Sequence, residues 1–409
     1  METIKKKIIN DPVYGFVSIK SEIFHDLIQH PWFQRLGRIK QLGLSSMVYP
    51  GAIHTRFSHA LGAMHLMSMA MDALKNKGHK IPKHEREAAM ISILLHDLGH
   101  GPFSHALEFA LMDGVHHEEL SILMMEKLNE EFDGQLSTAI KIFKNTYKVK
   151  FLHQLVSSQL DMDRMDYLQR DCFFTGVIEG SIGTDRIIRM LDVVDDRIVV
   201  EEKGIYSIEN FLNARRLMYW QVYLHKTAVG AEQMLIQLIR RAKTLAKRGE
   251  KLMATPALET FLYQSISLDD FRKNPELIDQ FAALDDHDIM AGVKWWSQSE
   301  DRVLKELSNR LLNRNLFKVR ISDQPFSDTE VEEIRSLLKK DFGYSDEELS
   351  FVCVTGTVSN AAYVPNYENI NIKTKAGDII DIAQASDLPN IDALSKVVKK
   401  HYLCHPKLS

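Results

Sequence analysis

The feature that most constrains the fold of this 409-residue chain is the helical period of its apolar residues. From Ser21 to Leu245, apolar side chains recur three and four residues apart, which places them on one face of an α-helix. The predicted helices are Ile23–Leu36, Phe57–Leu74, Glu85–Leu98, Glu118–Phe132, Leu152–Tyr167 and Ile208–Leu245. Gly and Pro signals separate them. This half of the chain is therefore predicted to be an α-helical domain.

The last part of the chain has a mixed pattern. Strand-like runs are joined in one place by Ala376-Gly377, which predicts a hairpin. Strands are predicted at Leu316–Ile321, Leu349–Thr355, Asn369–Lys375 and Asp378–Gln384, a hairpin within Arg197–Tyr206 with its turn at Lys203-Gly204, and helices at Ala257–Tyr263, Asp286–Arg314, Ser327–Lys340 and Ile391–Tyr402. We predict a mainly α protein with a helical core over residues 1–250, a helical extension over 251–315 and a small α+β C-terminal lobe over 316–409.

Composition excludes several classes of protein. The 51 Lys and Arg residues against 55 Asp and Glu give a net charge of −4, so a global basic field for nucleic acid is absent, although a local basic cleft is compatible with it. The three cysteines form no CxxC pair, which argues against a disulfide framework and fits a reducing cytoplasm. No signal-peptide core and no apolar run of about 18–20 residues is visible, so neither export nor a membrane span is predicted.

Histidine is the compositional feature that points to function. Of the 17 histidines, many fall between His54 and His117. The sharpest constellation is His59, the pair His96-Asp97, and Asp163. Imidazole and carboxylate ligands suit divalent Fe, Mn, Ni, Zn or Co and leave coordination positions open. Taken singly, each residue is more simply a hydrogen-bonded core histidine, or an Asp that caps a helix or pairs with a cation.

More histidines surround this constellation. His100 follows His96 by one turn, and a Gly101-Pro102 break then allows His105 to bend back toward the same place. Glu108 follows three residues later, where it can orient the His105 imidazole. His117 opens the next predicted helix. Such a set is hard to bury for packing reasons alone.

Two polar helix faces extend the pattern. At about 100° per residue, each set falls on one side of its predicted helix. The first face holds Asp163, Arg164, Tyr167 and Asp171, and the second holds Arg215, Tyr219, Tyr223 and Lys226. Arg and Lys can clamp phosphate, and aromatic rings can stack on a base. An Arg or Lys face taken singly is more often simply solvated.

Several motifs resemble those of one known family. They are Arg38-Ile-Lys-Gln-Leu-Gly43, Pro50-Gly-Ala, Arg56-Phe-Ser-His59, His96-Asp-Leu-Gly-His-Gly-Pro-Phe-Ser-His105, Asp161-Met-Asp163, Asp166-Tyr167 and Arg170-Asp-Cys172. The chain resembles the HD-domain deoxynucleoside triphosphate triphosphohydrolases, which include bacterial dGTPase-like enzymes and the catalytic core of the vertebrate SAM-and-HD-domain restriction factor. The resemblance begins at Ile9-Asn-Asp-Pro12 and covers more than half of the chain.

This resemblance implies a role for each matching residue. Metal ligands would be His59, His96, Asp97 and Asp163, and the catalytic network would be His100, His105, Glu108 and His117. Gln41 and Leu42 would lie against the sugar and exclude a ribose 2′-hydroxyl, while Arg56, Arg164, Tyr167, Asp171, Arg215 and Tyr223 would hold the triphosphate, the 3′-hydroxyl and the base. Glu108 stands where the family usually has Asp. Tyr219, Leu224 and Gly37 depart from the restriction-factor branch, which leaves base preference and nucleotide activation open.

The resulting prediction is a metal-dependent hydrolase that cleaves dNTPs to deoxynucleoside and triphosphate, with a divalent transition metal and Mg on the substrate triphosphate. It is expected to be cytoplasmic and at least a C2 dimer. Three alternatives remain open at this point. They are another HD phosphohydrolase, such as a 5′-nucleotidase or cyclic-nucleotide phosphodiesterase, a catalytically idle regulator that binds nucleotide or nucleic acid, and a structural protein.

Overall fold

A computed structural model describes residues 7–19, 21–360, 363, 369–387 and 397–408, without the side chain of His105. The helices are α1 Glu22–Gln29, α2 Pro31–Arg35, α3 Arg56–Asn76, α4 Lys83–Leu95, α5 Glu108–Leu111, α6 His117–Glu131, α7 Ser137–Phe143, α8 Lys150–Val156, α9 Met162–Thr175, α10 Thr184–Met190, α11 Ile205–Met218, α12 Lys226–Lys247, α13 Pro256–Tyr263, α14 Leu268–Lys273, α15 Glu276–Ala283, α16 Asp286–Trp296, α17 Arg302–Leu312, α18 Asp328–Phe342, α19 Asp346–Val352 and α20 Ile382–Ala385. The predicted mainly α fold with an α+β C-terminal part is confirmed.

The strands are short and form three small sheets. They are β1 Lys7–Asp11, β2 Gly15–Ile19, β3 Leu191–Val194, β4 Arg197–Glu201, β5 Lys318–Ser322, β6 Val354–Asn360, β7 Asn371–Lys373, β8 Ile379–Asp381 and β9 Val398–His405. β1 and β2 form a hairpin, β9 lies between β5 and β6, and the third sheet has the order β3-β4-β7-β8. In that sheet β4 and β7 are parallel neighbours, so the C-terminal part pairs directly with the helical core.

Helix α3 lies at the centre of the helical core and packs against α4 and α9. Small side chains on α3 allow this close approach, since Ala60 and Ala63 are fully buried. A Cβ atom at Gly62 would lie 2.0 Å from Asp166 Oδ1 of α9. Only glycine therefore allows α9 to pack where it does. These three helices position the candidate site.

Several predicted elements are wrong in detail. Leu152–Tyr167 is not one helix, because α8 ends at Val156 and Asp161 starts α9 by accepting the N–H of Arg164 at 2.6 Å. Ile208–Leu245 is also divided, by a π-helical turn at Tyr219–Tyr223.

The predicted β elements need corrections of their own. The hairpin turn lies at Asp195-Asp196, both with positive φ, whereas 202–204 form a 3-10 turn. Residues 349–352 of the predicted strand Leu349–Thr355 belong to helix α19. In the predicted helix Ile391–Tyr402, residues from Val398 onward form β9, while 391–396 lie outside the described residues. Ala376-Gly377 does join the antiparallel strands β7 and β8.

The described helices include none that is both long and apolar enough to cross a bilayer. The proposed division at residues 250 and 315 stays a prediction.

Candidate active site

The structure brings His59, His96 and Asp163 together. His59 lies in the first turn of α3, His96 directly follows α4, and Asp163 lies in the first turn of α9. His59 Nε2 is 3.3 Å from His96 Nε2 and 3.1 Å from Asp163 Oδ1, and His96 Nε2 is 3.5 Å from the same oxygen. One nitrogen or oxygen atom of each residue therefore faces a common point, as metal ligands do.

The imidazole orientations suit metal binding. His59 Nδ1 lies 2.8 Å from Asp166 Oδ2, and His96 Nδ1 lies 2.5 Å from the Ile93 carbonyl oxygen. When both Nδ1 atoms donate to these oxygens, each Nε2 presents a lone pair to the common point. Although burial opposes protonation, hydrogen bonds to Asp163 and Asp166 raise the pKa of His59 to about 10. The site thus favours positive charge, which a divalent cation can supply.

Asp97 lies at the edge of this group. Its Oδ1 is 3.2 Å from His96 Nε2 and 3.3 Å from His100 Nε2, and its Oδ2 is 3.8 Å from His59 Nε2. Oδ2 also accepts a 2.6 Å bond from Arg56 Nη1. Burial opposes ionisation of Asp97, but the charges of Arg56 and His96 hold its pKa well below the usual range. The anionic carboxylate can serve as a fourth ligand, which stays a prediction.

Among the residues predicted to form a catalytic network, the structure shows one hydrogen-bonded pair and one ring stack. Glu108 Oε1 accepts the backbone N–H of His117 at 2.8 Å and lies 2.7 Å from His117 Nδ1. The His100 and His117 rings stack with centroids 3.9 Å apart. Burial and Arg56 lower the pKa of His100 well below its usual value, so this imidazole is neutral. The predicted contact of Glu108 with His105 involves a side chain outside the described part of the structure.

Asp286, in the first turn of α16, holds the loop between α4 and α5. Its Oδ1 accepts the N–H of Phe103 at 2.8 Å, and its Oδ2 accepts the N–H of Lys40 at 3.0 Å. Phe103 and Ser104 have left-handed φ angles of 51° and 44°. One buried carboxylate therefore ties this loop to the segment that precedes Gln41.

A second polar group lies further along α9. Asp171 Oδ1 is 2.7 Å from His54 Nε2, and its Oδ2 accepts the Tyr223 hydroxyl at 2.8 Å. Burial and Asp171 raise the pKa of Tyr223, so its phenol is a neutral donor. The Tyr223 ring meets those of Tyr167 and Tyr219 at centroid distances of 6.1 and 5.1 Å. Asp171 thus holds Tyr223 directly, and Tyr167 and Tyr219 contact the ring of Tyr223.

The remaining predicted substrate residues differ in how they are held. Arg56 pairs with Asp97, Arg164 Nε donates to the Ser158 carbonyl at 2.6 Å, and Arg215 Nη1 donates to Gln159 at 3.0 Å. Lys226 is exposed at the start of α12, and Leu42 is partly buried against the hydrophobic core. Gln41 Oε1 and Arg215 Nε are buried without a hydrogen-bond partner in the described structure, so both can serve a ligand.

Sequence reasoning missed the residues that support the site. Asp166 and Arg170 were part of a recognised motif, but no role followed from their spacing. Asp166 stands three residues after Asp163 and Arg170 four residues later, a helical spacing that could have predicted a second buried face. His54 carried no signal beyond its place among the histidines, and Asp11 carried none beyond its place in Ile9-Asn-Asp-Pro12, where the resemblance begins.

Comparison with known proteins gives a consistent picture. The HD domain pattern matches residues 56–171, and the pattern of the HD associated region matches residues 182–256. Protein YwfO of Bacillus subtilis is 32% identical over 98% of this chain and 93% of its own length. The human deoxynucleoside triphosphate triphosphohydrolase SAMHD1 is 27% identical over 82% of this chain and 58% of its own length.

A solved structure shares the fold closely. The crystal structure of a phosphohydrolase from Bacteroides thetaiotaomicron superposes with a TM-score of 0.95 at 54% sequence identity. The match covers 98% of this chain and 100% of that one. The two chains therefore share the helical core and the C-terminal part.

Proposed function

Because the chain belongs to the HD-domain phosphohydrolase family, we propose that it hydrolyses deoxynucleoside triphosphates to deoxynucleoside and triphosphate in a metal-dependent reaction. The observation that supports this most is the arrangement along α9. Asp163 belongs to the His/Asp group, and Asp171 lies eight residues further on, about 12 Å along the helix. That length suits a substrate with phosphates at one end and a sugar and base at the other.

Each group has a proposed role. His59, His96, Asp97 and Asp163 hold a divalent metal, which when bound supplies Lewis-acid polarisation of a phosphoryl oxygen and activation of water. Arg164 and Arg215 neutralise the phosphate chain, with Lys226 at its exposed end. Asp171 accepts a hydrogen bond from the deoxyribose, Gln41 accepts or donates one, and the edge of the sugar lies against Leu42. Tyr167, Tyr219 and Tyr223 border the base.

His105 is proposed as the general acid. It donates a proton to the departing 5′-oxygen, while Glu108 and His117 keep its surroundings hydrogen-bonded. His105→Ala is expected to lower kcat by about 10²-fold or more while metal content and KM stay close to wild type. If His105 instead only caps the following helix, the variant will lose about 1 kcal/mol of stability and keep its turnover.

The reaction is tested by incubating the metal-loaded protein with all four dNTPs and all four NTPs and separating the products by chromatography. Triphosphate together with deoxynucleoside is the expected result. Pyrophosphate or phosphate as the first product would assign the protein to another HD phosphohydrolase class, and binding without turnover would make it a regulator. Comparable kcat/KM for GTP and dGTP would contradict the role of Gln41 and Leu42.

We also propose that the protein is cytoplasmic and forms a homo-oligomer that is at least a dimer. Cys172, Cys353 and Cys404 are all free thiols in the structure, which fits a reducing compartment. Dimers with two-fold symmetry are the commonest soluble homo-oligomers. Light scattering at micromolar concentration is expected to give at least twice the chain mass of 46.9 kDa, and a monomer would reject the proposal.

A further inference from the structure

A chain of buried charged side chains leads from the amino-terminal hairpin to the candidate metal site. Asp11, the last residue of β1, has its Oδ2 2.7 Å from Arg170 Nη1. Arg170 grips Asp166 with two bonds of 2.9 Å, from Nε to Oδ2 and from Nη2 to Oδ1. Asp166 Oδ2 in turn lies 2.8 Å from His59 Nδ1. Three consecutive contacts therefore connect Asp11 with a candidate metal ligand.

All four side chains in this series are withdrawn from solvent. The side chains of Arg170 and Asp166 are fully buried, that of His59 is 1% exposed and that of Asp11 is 5% exposed. In such surroundings a charge left without its partner is strongly disfavoured, so each member constrains the position of the next. The series is thus an oriented array rather than a set of surface ion pairs.

The two oxygens of Asp11 have separate partners. Oδ1 accepts the backbone N–H groups of Val13 at 2.9 Å and Tyr14 at 3.0 Å, which shapes the hairpin turn. Oδ2 faces Arg170. The Tyr14 ring then covers the Arg170 guanidinium at 5.5 Å from its centroid. The turn and the arginine contact can therefore be separated by a substitution that changes only one oxygen.

The backbone of α3 closes the array from the other side. A Cβ atom at Gly62 would lie 2.0 Å from Asp166 Oδ1 and 2.2 Å from Arg170 Nη2. Gly62 stands one turn after His59, so the guanidinium and carboxylate lie directly against the backbone of the ligand's own helix. Because the α3 side offers no free space, a displacement of Arg170 at its contact with Asp11 must be taken up by Asp166.

We infer that Asp11 is a positioning residue for metal binding, which acts on His59 through Arg170 and Asp166, and that the amino-terminal hairpin is thereby a working part of the metal site. Asp11 fixes the guanidinium, the guanidinium fixes both oxygens of Asp166, and Asp166 holds the His59 ring with Nε2 toward the metal. This inference rests on the proposed metal dependence.

The test is the affinity of the full chain for Mn²⁺, measured by calorimetry after removal of bound metal with EDTA. In Asp11→Asn the amide oxygen still accepts the two turn N–H groups, whereas its NH2 group replaces the acceptor that faces Arg170. We expect Mn²⁺ binding about tenfold weaker than in wild type. Asp166→Asn, one contact nearer to the metal, should weaken it at least as much, within the 10–100-fold range of groups that orient a ligand.

Asp301→Asn is the matched control. Asp301 also uses Oδ1 to accept a backbone N–H, that of Leu304, and pairs through Oδ2 with a largely buried arginine, Arg241. None of the candidate metal ligands is among its hydrogen-bond partners. We expect this variant to lose stability as Asp11→Asn does but to bind Mn²⁺ like wild type. Equal Mn²⁺ affinity in wild type and Asp11→Asn would overturn the inference. An equal loss of affinity in Asp11→Asn and in the control Asp301→Asn would overturn it as well.

The experiment includes a check of metal binding by wild type and a replacement variant for Asp11→Asn. If wild type itself binds no Mn²⁺ and no other divalent transition metal, the proposed function fails and not the role of Asp11 within it. If Asp11→Asn does not accumulate as folded protein, Asp11→Ser takes its place, because its hydroxyl can still accept the turn N–H groups. Wild-type affinity in Asp11→Ser would then reject the inference, and a loss of about tenfold would support it.

Discussion

Two regions of the molecule use the same arrangement of side chains for different ends. In the helical core, Asp166 bridges His59 and the cation Arg170. In the four-stranded sheet, Asp192 bridges His79 at 2.6 Å and the cation Lys373 at 2.8 Å. Each Asp joins elements that are far apart in the sequence.

The two groups differ in how far their side chains are exposed to solvent. The Asp166 and Arg170 side chains are fully buried, whereas those of His79 and Lys373 are 28% and 38% exposed. Water screens the sheet group and can replace a lost partner, so it fastens β3 to β7 with little effect on its surroundings. The core group has no such replacement, and its geometry is passed on to the metal site. The lesson is that burial, not residue type, turns a His-Asp-cation group into a positioning device.

The strongest way to break the core region is to remove a proposed ligand. Asp97→Ala is expected to release the metal and lower kcat by about 10³-fold or more, since metal catalysis contributes several kcal/mol to the transition state. Elemental analysis and turnover are measured on the same sample. Asp185→Ala, which removes a largely exposed carboxylate from α10, is the control and should keep both. Equal metal in wild type and Asp97→Ala would show that Asp97 is not a ligand.

Asp166→Asn breaks the core group itself. It removes one of the two carboxylate charges that compensate Arg170 in a fully buried site, and such losses cost about 3–5 kcal/mol. Urea unfolding monitored by circular dichroism should show this loss in the metal-free protein as well. A decrease below about 1 kcal/mol would mean that the core group is as weakly coupled as the sheet group.

Gly62→Ala tests the packing that keeps the core group in place. The added methyl group meets Asp166 and Arg170 well inside contact distance, and overpacking of this kind costs about 1–3 kcal/mol or more. Gly37→Ala is the control, because the nearest atom to its Cβ is 3.9 Å away. The two variants are compared by urea unfolding. Similar stabilities would show that α9 can shift away from α3 at little cost.

The smallest effect is expected in the sheet group. Burial opposes ionisation of Asp192, but Lys373 and His79 lower its pKa to about 2. The folded pKa lies below the unfolded value of about 3.9, so this stabilisation is present above that pH and is lost as pH falls toward 2. Asp192→Asn should therefore cost less than about 1 kcal/mol at pH 7, and the difference from wild type should shrink between pH 4 and 2. If the difference in stability between Asp192→Asn and wild type stays constant over that range, the ionised carboxylate of Asp192 does not stabilise the fold.

The sequence was most informative where function and local pattern coincide. The helical period placed His59 on α3, His96 at the end of α4 and Asp163 on α9. Their residue types grouped them as candidate metal ligands, and the resemblance implied the same set. The sequence could not reveal that Asp166 lies between His59 and Arg170, since the orientation of a side chain depends on helix packing. Asp11 is 159 positions from Arg170, and no local period reports such a pair.

The errors in secondary structure also have physical causes. The turn at Asp195-Asp196 uses two non-glycine residues with positive φ, whereas the sequence offered Gly204 as the obvious turn residue. Val398–His405 has apolar residues that fit a helix, but it is the central strand between β5 and β6, and tertiary pairing decides its conformation. The π-helical turn at Tyr219–Tyr223 interrupts an otherwise continuous helical period.

The loop that follows α4 has a strained backbone, and a residue far along the chain, Asp286, holds it in that conformation. Non-glycine residues in the left-handed region cost about 1–3 kcal/mol each, and Phe103 and Ser104 are two in succession. Asp286 holds this strained state through the Phe103 N–H, and Ser104 Oγ then accepts a bond from Arg56. Asp286 of α16, 183 positions further along the chain, therefore stabilises this conformation of the loop. A chain ending at residue 250 would keep every proposed metal ligand and still let the loop before His105 relax.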